Sequence, residues 1–177
     1  MNISLSNRVQ RVKPSPTLAI TALANQLKSE GKNVIGLAAG EPDFDTPEHI
    51  KTAAIQAIES GFTKYTAVDG TAPLKKAIIN KFKEDNQLDY QADQILVSCG
   101  GKQSFYNLAQ ALLNEGDEVI IPAPYWVSYP DMTLLADGKP VIVNGDQSQG
   151  FKITAAQLED AITDKTRLFV INSPSNP

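Results

Sequence analysis

The chain is poor in the residues that build metal centres, catalytic triads and disulfide frameworks: its 177 residues include one cysteine, one histidine and one tryptophan. A lone Cys99 closes no intramolecular disulfide, and its apolar setting reads as that of a small buried hydrophobe in a reducing compartment. One imidazole among scattered carboxylates assembles neither a zinc site nor a His-based triad, so His49 reads as a helix-surface residue and no metal is expected. The opening MNISLSNRVQRVKPS has no apolar targeting core, and no apolar run approaches the about 18 residues that span a bilayer. Export and membrane anchoring are therefore not expected, and a cytoplasmic location fits. Nor is there an excess of positive charge. Lys and Arg number 16 against 20 Asp and Glu, a net charge of −4 with the signs interspersed, so no basic field exists to hold nucleic acid.

What is present is an ordinary globular composition, 42% hydrophobic and 20% charged. A chain of this size buries roughly 70% of its unfolded surface, enough for a core. Ser15-Pro16 supplies a cap and a first-turn proline, Ile20, Leu23, Ala24 and Leu27 follow at helical spacing, and Gly31 stops the run. Asn33–Ala38 reads as a short strand leading into Gly40-Glu-Pro-Asp-Phe-Asp-Thr-Pro47, a stretch dense in turn formers. Thr46-Pro47-Glu48 repeats the cap, proline and acid pattern for a second helix, with Ile50, Ala54, Ala57 and Ile58 on one face. Leu74, Ala77, Ile78 and Phe82 mark a third.

From there short apolar runs alternate with helical patterns. Gln94–Cys99 is expected as a buried strand, followed by Gly100-Gly101 and a helix carrying Phe105, Leu108, Ala109 and Leu112. Glu118–Ile121, Pro140–Val143 and Arg167–Ile171 are further strands. Helices are expected between them, over Met132, Leu135 and Ala136 and, begun at Thr154, over Leu158, Ala161 and Ile162. The alternation predicts an α/β fold with a mostly parallel sheet covered by helices. Its last strand runs into Asn172-Ser-Pro-Ser-Asn-Pro177 and the sequence stops where such sheets bind ligands, which predicts the N-terminal portion of a longer protein or a truncation.

Three strand ends carry candidate chemistry. Gly100-Gly101-Lys102 sets glycines and a cation at a helix start, which suits a phosphate or simply makes a tight turn. It is neither a dinucleotide fingerprint nor a Walker loop, which disfavours a dehydrogenase. Trp126 in Pro122-Ala-Pro-Tyr-Trp126 offers a ring to stack on a flat cofactor, or a buried anchor. Asn176 offers an amide to a phenolate-like oxygen, or a turn-forming side chain beside Pro177. Together they describe a pocket for a phosphorylated aromatic cofactor.

These residues, with Gly40–Pro47, Lys64-Tyr65-Thr66, Gly100–Gln103, Pro124–Pro130 and Asn172–Pro177 in order along nearly the whole chain, resemble the class I pyridoxal-phosphate-dependent aminotransferases, in particular the bacterial aspartate aminotransferases. The resemblance implies the fold type I architecture: a large domain with a seven-stranded sheet, a small domain and a homodimer. Residues 1–45 would then be the N-terminal arm and part of the small domain, and 46–177 the first part of the large, cofactor-binding domain. It implies that Gly100, Gly101 and Lys102 contact the phosphate of pyridoxal 5'-phosphate and that Trp126 stacks on its ring. Asn176 would donate to the ring oxygen, and Tyr65 would reach the neighbouring subunit's cofactor phosphate. Gly40 would lie beside the substrate α-carboxylate. Ser15, Thr17 and Lys102 would recognise a distal carboxylate, although Ser15 and Thr17 equally read as helix-start caps.

Val68-Asp69-Gly70 departs from the family, which often has a proline and small residues there. The Schiff-base lysine that would be the catalytic residue is expected beyond Pro177, as are the aspartate and arginine of the site, so no catalytic base is named. The expected activity of the full-length protein is amino transfer from aspartate to 2-oxoglutarate in a ping-pong cycle. The alternatives are a truncated, inactive fragment or a family member preferring aromatic or aliphatic amino acids or prephenate.

Overall fold

A computed structural model of the chain describes residues 4–37 and 40–176. In chain order the elements are α1 (Asn7–Gln10), α2 (Pro16–Ser29), α3 (Glu48–Glu59), α4 (Ala72–Asn86), α5 (Gly101–Leu112), β1 (Glu118–Ala123), α6 (Ser128–Leu135), β2 (Lys139–Asn144), α7 (Ala155–Ala161) and β3 (Thr166–Phe169), with 3-10 turns at Ala92–Gln94 and Gln147–Gln149. They fall into two compact units, one of Met1–Glu41 with Ser104–Pro177 and one of Pro42–Gln103.

The first unit is built on β1. This strand pairs in parallel with β2 on one side and β3 on the other, giving the order β2-β1-β3. Being central, β1 is covered on both faces, which is why Val119, Ile120 and Ile121 form a continuous apolar run rather than an alternating one. Each contributes about 1.5–3 kcal/mol by leaving water. Val119 and Ile121 join Ala109 and Leu113 from the α5 side and Ala136 after α6 in one buried cluster, flanked by Phe105, Tyr125, Tyr129, Leu168 and Val170. Gly138 closes α6 onto this cluster: a Cβ there would stand 2.9 Å from Leu113 Cδ1 and 3.1 Å from Thr133 Cγ2.

The N-terminal ends of the strands are held by charge. Glu118 accepts hydrogen bonds from Lys139 Nζ at 2.9 Å and from Thr163 Oγ1 at 2.7 Å, joining the starts of β1 and β2 to the turn before β3. These donors, Lys139 first, hold its carboxyl below the usual carboxylate range. Next to it, Asp117 accepts from the Asn114 backbone at 2.8 Å and pairs with Arg167 at 3.4 Å, and its carboxyl is likewise lowered, chiefly by the Asn114 N–H.

The second unit holds α3, α4 and the start of α5. Phe82 of α4 meets Tyr90 edge-on at 5.3 Å, and Ile95 is buried. In this unit Lys75, in the first turns of α4, is buried against Asp69, with which it forms an ion pair.

The structure corrects five expectations. Asn33–Ala38 is not a strand: residues 33–37 have no regular structure, and Ala38 lies outside the described residues, as does Pro177 of the last motif. Gln94–Cys99 is not a strand either. Gln94 closes the 3-10 turn and the rest runs extended without a ladder, with Val97 N–H bonded to Asp69 O at 3.1 Å, because no described strand lies alongside it. Cys99 at its end is exposed rather than buried, for the same reason. The cap of α3 is Pro47, with no side-chain hydrogen bond, rather than Thr46. Lastly, β3 ends at Phe169, although Val170 N–H still reaches Ile120 O at 3.0 Å. Helix α2 has the expected boundaries, yet none of its residues is fully buried, Ala24 and Leu27 of its apolar stripe being half-buried.

Candidate functional site

In the second unit the extended segment ends at Gly100, whose φ of +87° is in the region that favours glycine. Its N–H bonds Ser98 O at 2.8 Å, and its own carbonyl accepts Gln103 N–H at 3.1 Å, so the chain turns within one residue into α5. The Gln103 side chain reaches back to accept the Cys99 N–H. A Cβ placed on Gly100 or Gly101 would meet nothing within 4 Å. The glycines therefore leave the helix start open instead of relieving a packed contact. No acid stands in the first turn of α5 and Lys102 is exposed there, so the helix places no negative charge of its own at the positive end of its dipole. This geometry suits an anion. Tyr65 lies in the same unit, fully exposed on the loop between α3 and α4.

In the first unit the carboxyl ends of β1 and β3 carry the other candidates. Trp126 follows β1 and is half-buried; its ring meets Tyr129 edge-on at 5.2 Å, and Tyr129 meets Phe105 of α5 edge-on at 5.1 Å. Tyr129 N–H also bonds Trp126 O at 3.1 Å. The aromatic series fixes the indole against the sheet end, with α6 starting two residues later at Ser128. After β3, Asn176 N–H donates to Asn172 Oδ1 at 2.9 Å, closing a turn that leaves the Asn176 side chain exposed.

Gly40 and Asn176, remote in sequence, are brought together: a Cβ on Gly40 would stand 4.0 Å from Asn176 Oδ1. The missing side chain keeps the approach to the Asn176 amide open. Ser15 takes its structural role as a cap, whereas Thr17 is the second residue of the helix and not its cap. Ser15 caps α2, its hydroxyl accepting Leu18 N–H at 3.5 Å, and Thr17 O accepts the Thr21 hydroxyl at 2.8 Å.

Sequence reasoning missed a cleft of about 550 Å³ at the same sheet end, walled by Tyr125, Tyr129, Phe151, Leu158, Phe169 and Ile171, with Asn172–Ser175 along it. Phe151 reaches it from a left-handed conformation, φ 59°, after the turn capped by Asp146. No motif marks that loop; its only signal is Gly150. Among the described residues no group of three or more His, Cys, Asp or Glu gathers to hold a metal, and no helix is long and apolar enough to cross a membrane.

Comparison with known proteins bears on what this arrangement does. Residues 32–177 match the sequence model of a family described as aminotransferase class I and II. The chain is 66% identical over 175 residues to an aspartate/prephenate aminotransferase of Nitrosomonas europaea, covering 99% of this chain and 44% of that protein. It is 57% identical to an aspartate aminotransferase of Bacillus sp. strain YM-2, covering 98% of this chain and 44% of the relative. Among solved structures, the aspartate aminotransferase from Rhizobium meliloti superposes with a TM-score of 0.94 at 53% identity, over 99% of this chain and 44% of that one. The Thermus thermophilus aspartate aminotransferase with maleate gives a TM-score of 0.94 at 45% identity, over 99% and 46%. The chain thus spans a little under half the length of the proteins it matches.

Proposed function

Because the chain belongs to the class I and II aminotransferases, with their α/β fold over its length, we propose that it is the N-terminal part of an enzyme that moves an amino group from aspartate to 2-oxoglutarate with pyridoxal 5'-phosphate. The observation that carries the reading is the 66% identity to an aspartate/prephenate aminotransferase across 99% of the chain. The residues fit the cofactor piece by piece. The open glycine start of α5 suits its phosphate, Trp126 offers a ring held at a sheet end, and Asn176 offers an amide beside the side-chain-free Gly40.

When bound, pyridoxal phosphate supplies an electron sink for the charge left at the substrate Cα. This chain's own residues hold and orient. Gly100, Gly101 and Lys102 bind the phosphate dianion through backbone N–H groups, the helix dipole and an ammonium. Trp126 sets the plane of the ring, and the Asn176 amide donates to its oxygen, favouring the ionised form. Gly40 admits the α-carboxylate, and Ser15, Thr17 and Lys102 recognise the distal one, a role the maleate named with the Thermus enzyme makes reasonable, maleate being a dicarboxylate.

Residues 1–45 are assigned to the arm and small domain and 46–177 to the large domain. The lysine that moves the Cα proton would lie beyond Pro177, in the part of the relatives' length that this chain does not span. Tyr65 would reach the partner's cofactor phosphate in a cytoplasmic homodimer. A second reading, prephenate as amino acceptor, is favoured by the names of several relatives. The test is the full-length protein with pyridoxal phosphate and aspartate, offered 2-oxoglutarate or prephenate while keto-acid formation is followed. Turnover with 2-oxoglutarate supports the reading, turnover with prephenate alone transfers it to the second, and none with either refutes both.

A further inference from the structure

Lys75 is a cation in an unusual place. It lies in the first turns of α4, where an amphipathic helix ordinarily turns lysine to water, yet only 7% of it is exposed. A buried ammonium needs a counter-charge, and Lys75 has it in Asp69, whose carboxyl is half exposed. Asp69 belongs to the departure Val68-Asp69-Gly70. Its carbonyl accepts Val97 N–H at 3.1 Å, a hydrogen bond that ties the extended segment before Gly100 to the loop. Gly70 packs on the same residue so closely that a Cβ would lie 2.5 Å from Val97 Cγ2 and 3.8 Å from Lys75 Cγ. Lys75 thus pairs with the end of the loop that carries Tyr65, and that same loop end bonds to and packs on Val97 of the segment that delivers Gly100–Lys102. That segment is in no strand ladder among the described residues, and this contact is a restraint at its middle.

We propose that Lys75 is a positioning residue for anion binding: through its ion pair with Asp69 it clamps the loop ending at Gly70 onto Val97 and so sets the start of α5 for a phosphate group. The inference rests on the pyridoxal-phosphate reading of that helix start. Neither Lys75 nor Asp69 touches the anion. What they supply is a fixed origin for the two residues between Val97 and the cradle, where a shift of an ångström would misdirect the backbone N–H groups. The two partners are not equivalent. Replacing Lys75 by methionine removes the charge from the buried side, keeps the stem that packs on Gly70, and leaves Asp69 free to hydrate, so the fold should survive. Asp69→Asn would instead strand the buried ammonium.

The experiment uses the cofactor-free full-length protein in the wild-type, Lys75→Met and Lys75→Arg forms. Hydrogen exchange of the Val97 amide reads the clamp, and dissociation constants for inorganic phosphate and pyridoxal phosphate read the cradle. The expected result is faster Val97 exchange in Lys75→Met with both ligands weakened about tenfold, and recovery in Lys75→Arg to within about threefold of wild type. Unchanged Val97 exchange, or faster exchange with unchanged phosphate affinity, overturns the proposal, the second outcome leaving Lys75 a purely structural residue. A wild-type protein that binds neither ligand refutes the cofactor reading and the inference with it.

Discussion

Replacing Gly70 by alanine tests how tightly the segment before the anion cradle is held. Two costs add at this position. The residue has φ +107°, outside the regions open to an L side chain, which costs about 1–3 kcal/mol. The new Cβ would also lie 2.5 Å from Val97 Cγ2 and 2.9 Å from Val97 Cβ, an overlap of the kind that costs about 1–3 kcal/mol in a packed interior. The sum is at least about 2 kcal/mol, a change of about 30-fold in a local opening equilibrium. The Val97 amide, which donates to Asp69 O at 3.1 Å, reports that equilibrium by native-state hydrogen exchange. Gly61→Ala is the control for the dihedral alone, since φ there is +79° and a Cβ would meet nothing within 4 Å. Adding Val97→Ala to Gly70→Ala removes the nearest clashing carbon and should recover about 1 kcal/mol, a coupling typical of residues in contact. If Val97 exchange in Gly70→Ala stays within about threefold of wild type, the close packing is wrong and so is the reasoning built on it.

Glu118 should make stability depend on acid. Its carboxyl is held below the ordinary 4.5, first by Lys139 and then by Thr163, so its contribution is complete above that value and is lost as pH falls through the lowered one. Glu118→Gln should therefore destabilise at neutral pH, with the difference from wild type shrinking on acidification; a constant difference between pH 7 and pH 3 in urea titrations would exclude this origin. Ile121, 1% exposed on β1, should cost about 2–5 kcal/mol as Ile121→Ala and about 0.5–1.5 as Ile121→Val, read from unfolding midpoints. In the full-length protein Asn176→Ala should raise the pH at which the bound cofactor's absorbance titrates, because the amide that favours the ionised ring oxygen is gone. An unchanged titration would remove Asn176 from that role.

The local grammar of the helices was open to reading. Ser15-Pro16 and Gly31 bracket α2, Thr154 caps α7 with its hydroxyl on Gln157 N–H, and the glycines after α3 and before α5 stand where the chain must turn through positive φ. The runs that became β1, β2 and β3 were equally visible, since each found a neighbour. Two segments of similar appearance, Asn33–Ala38 and Gln94–Cys99, did not become strands. An apolar run states that a segment can be extended and buried; whether a ladder forms depends on a partner that the run does not encode. Cys99 was misjudged by the same route, its burial having been inferred from the strand.

At the candidate site, the residues proposed on their own chemistry, Gly100 and Gly101, Trp126 and Asn176, could be picked out as candidates from the sequence alone. Relationships between distant residues could not. Nothing near Gly40 announces that it faces Asn176, and Lys75 reads as a solvent lysine because helical periodicity assigns it to a face without saying what a preceding loop will lay over that face. The Asp69 departure was visible, but its partner was not.

The placement of charge explains why the two ends of the sheet are suited to different work. At the start of β1, Glu118 and Asp117 spend their hydrogen-bonding capacity on Lys139, Thr163, Asn114 and Arg167, each of which belongs to a strand start or to the turn before one. That end has its anions satisfied and gains register from them. At the other end the side chains after β1 and β3 are aromatic and amide, Tyr125, Trp126 and Tyr129 after β1 and Asn172 and Asn176 after β3, while Asp146 after β2 accepts from Ser148 and Gln149 in the turn it caps. A dianionic ligand is repelled by carboxylates and drawn by amides, helix starts and ammonium groups. With these acids engaged at the strand starts and Asp146 in its own turn, the ends of β1 and β3 carry aromatic and amide groups that suit the ligand proposed above. It follows that Glu118→Gln should move stability while leaving phosphate affinity alone, whereas Lys75→Met should do the reverse.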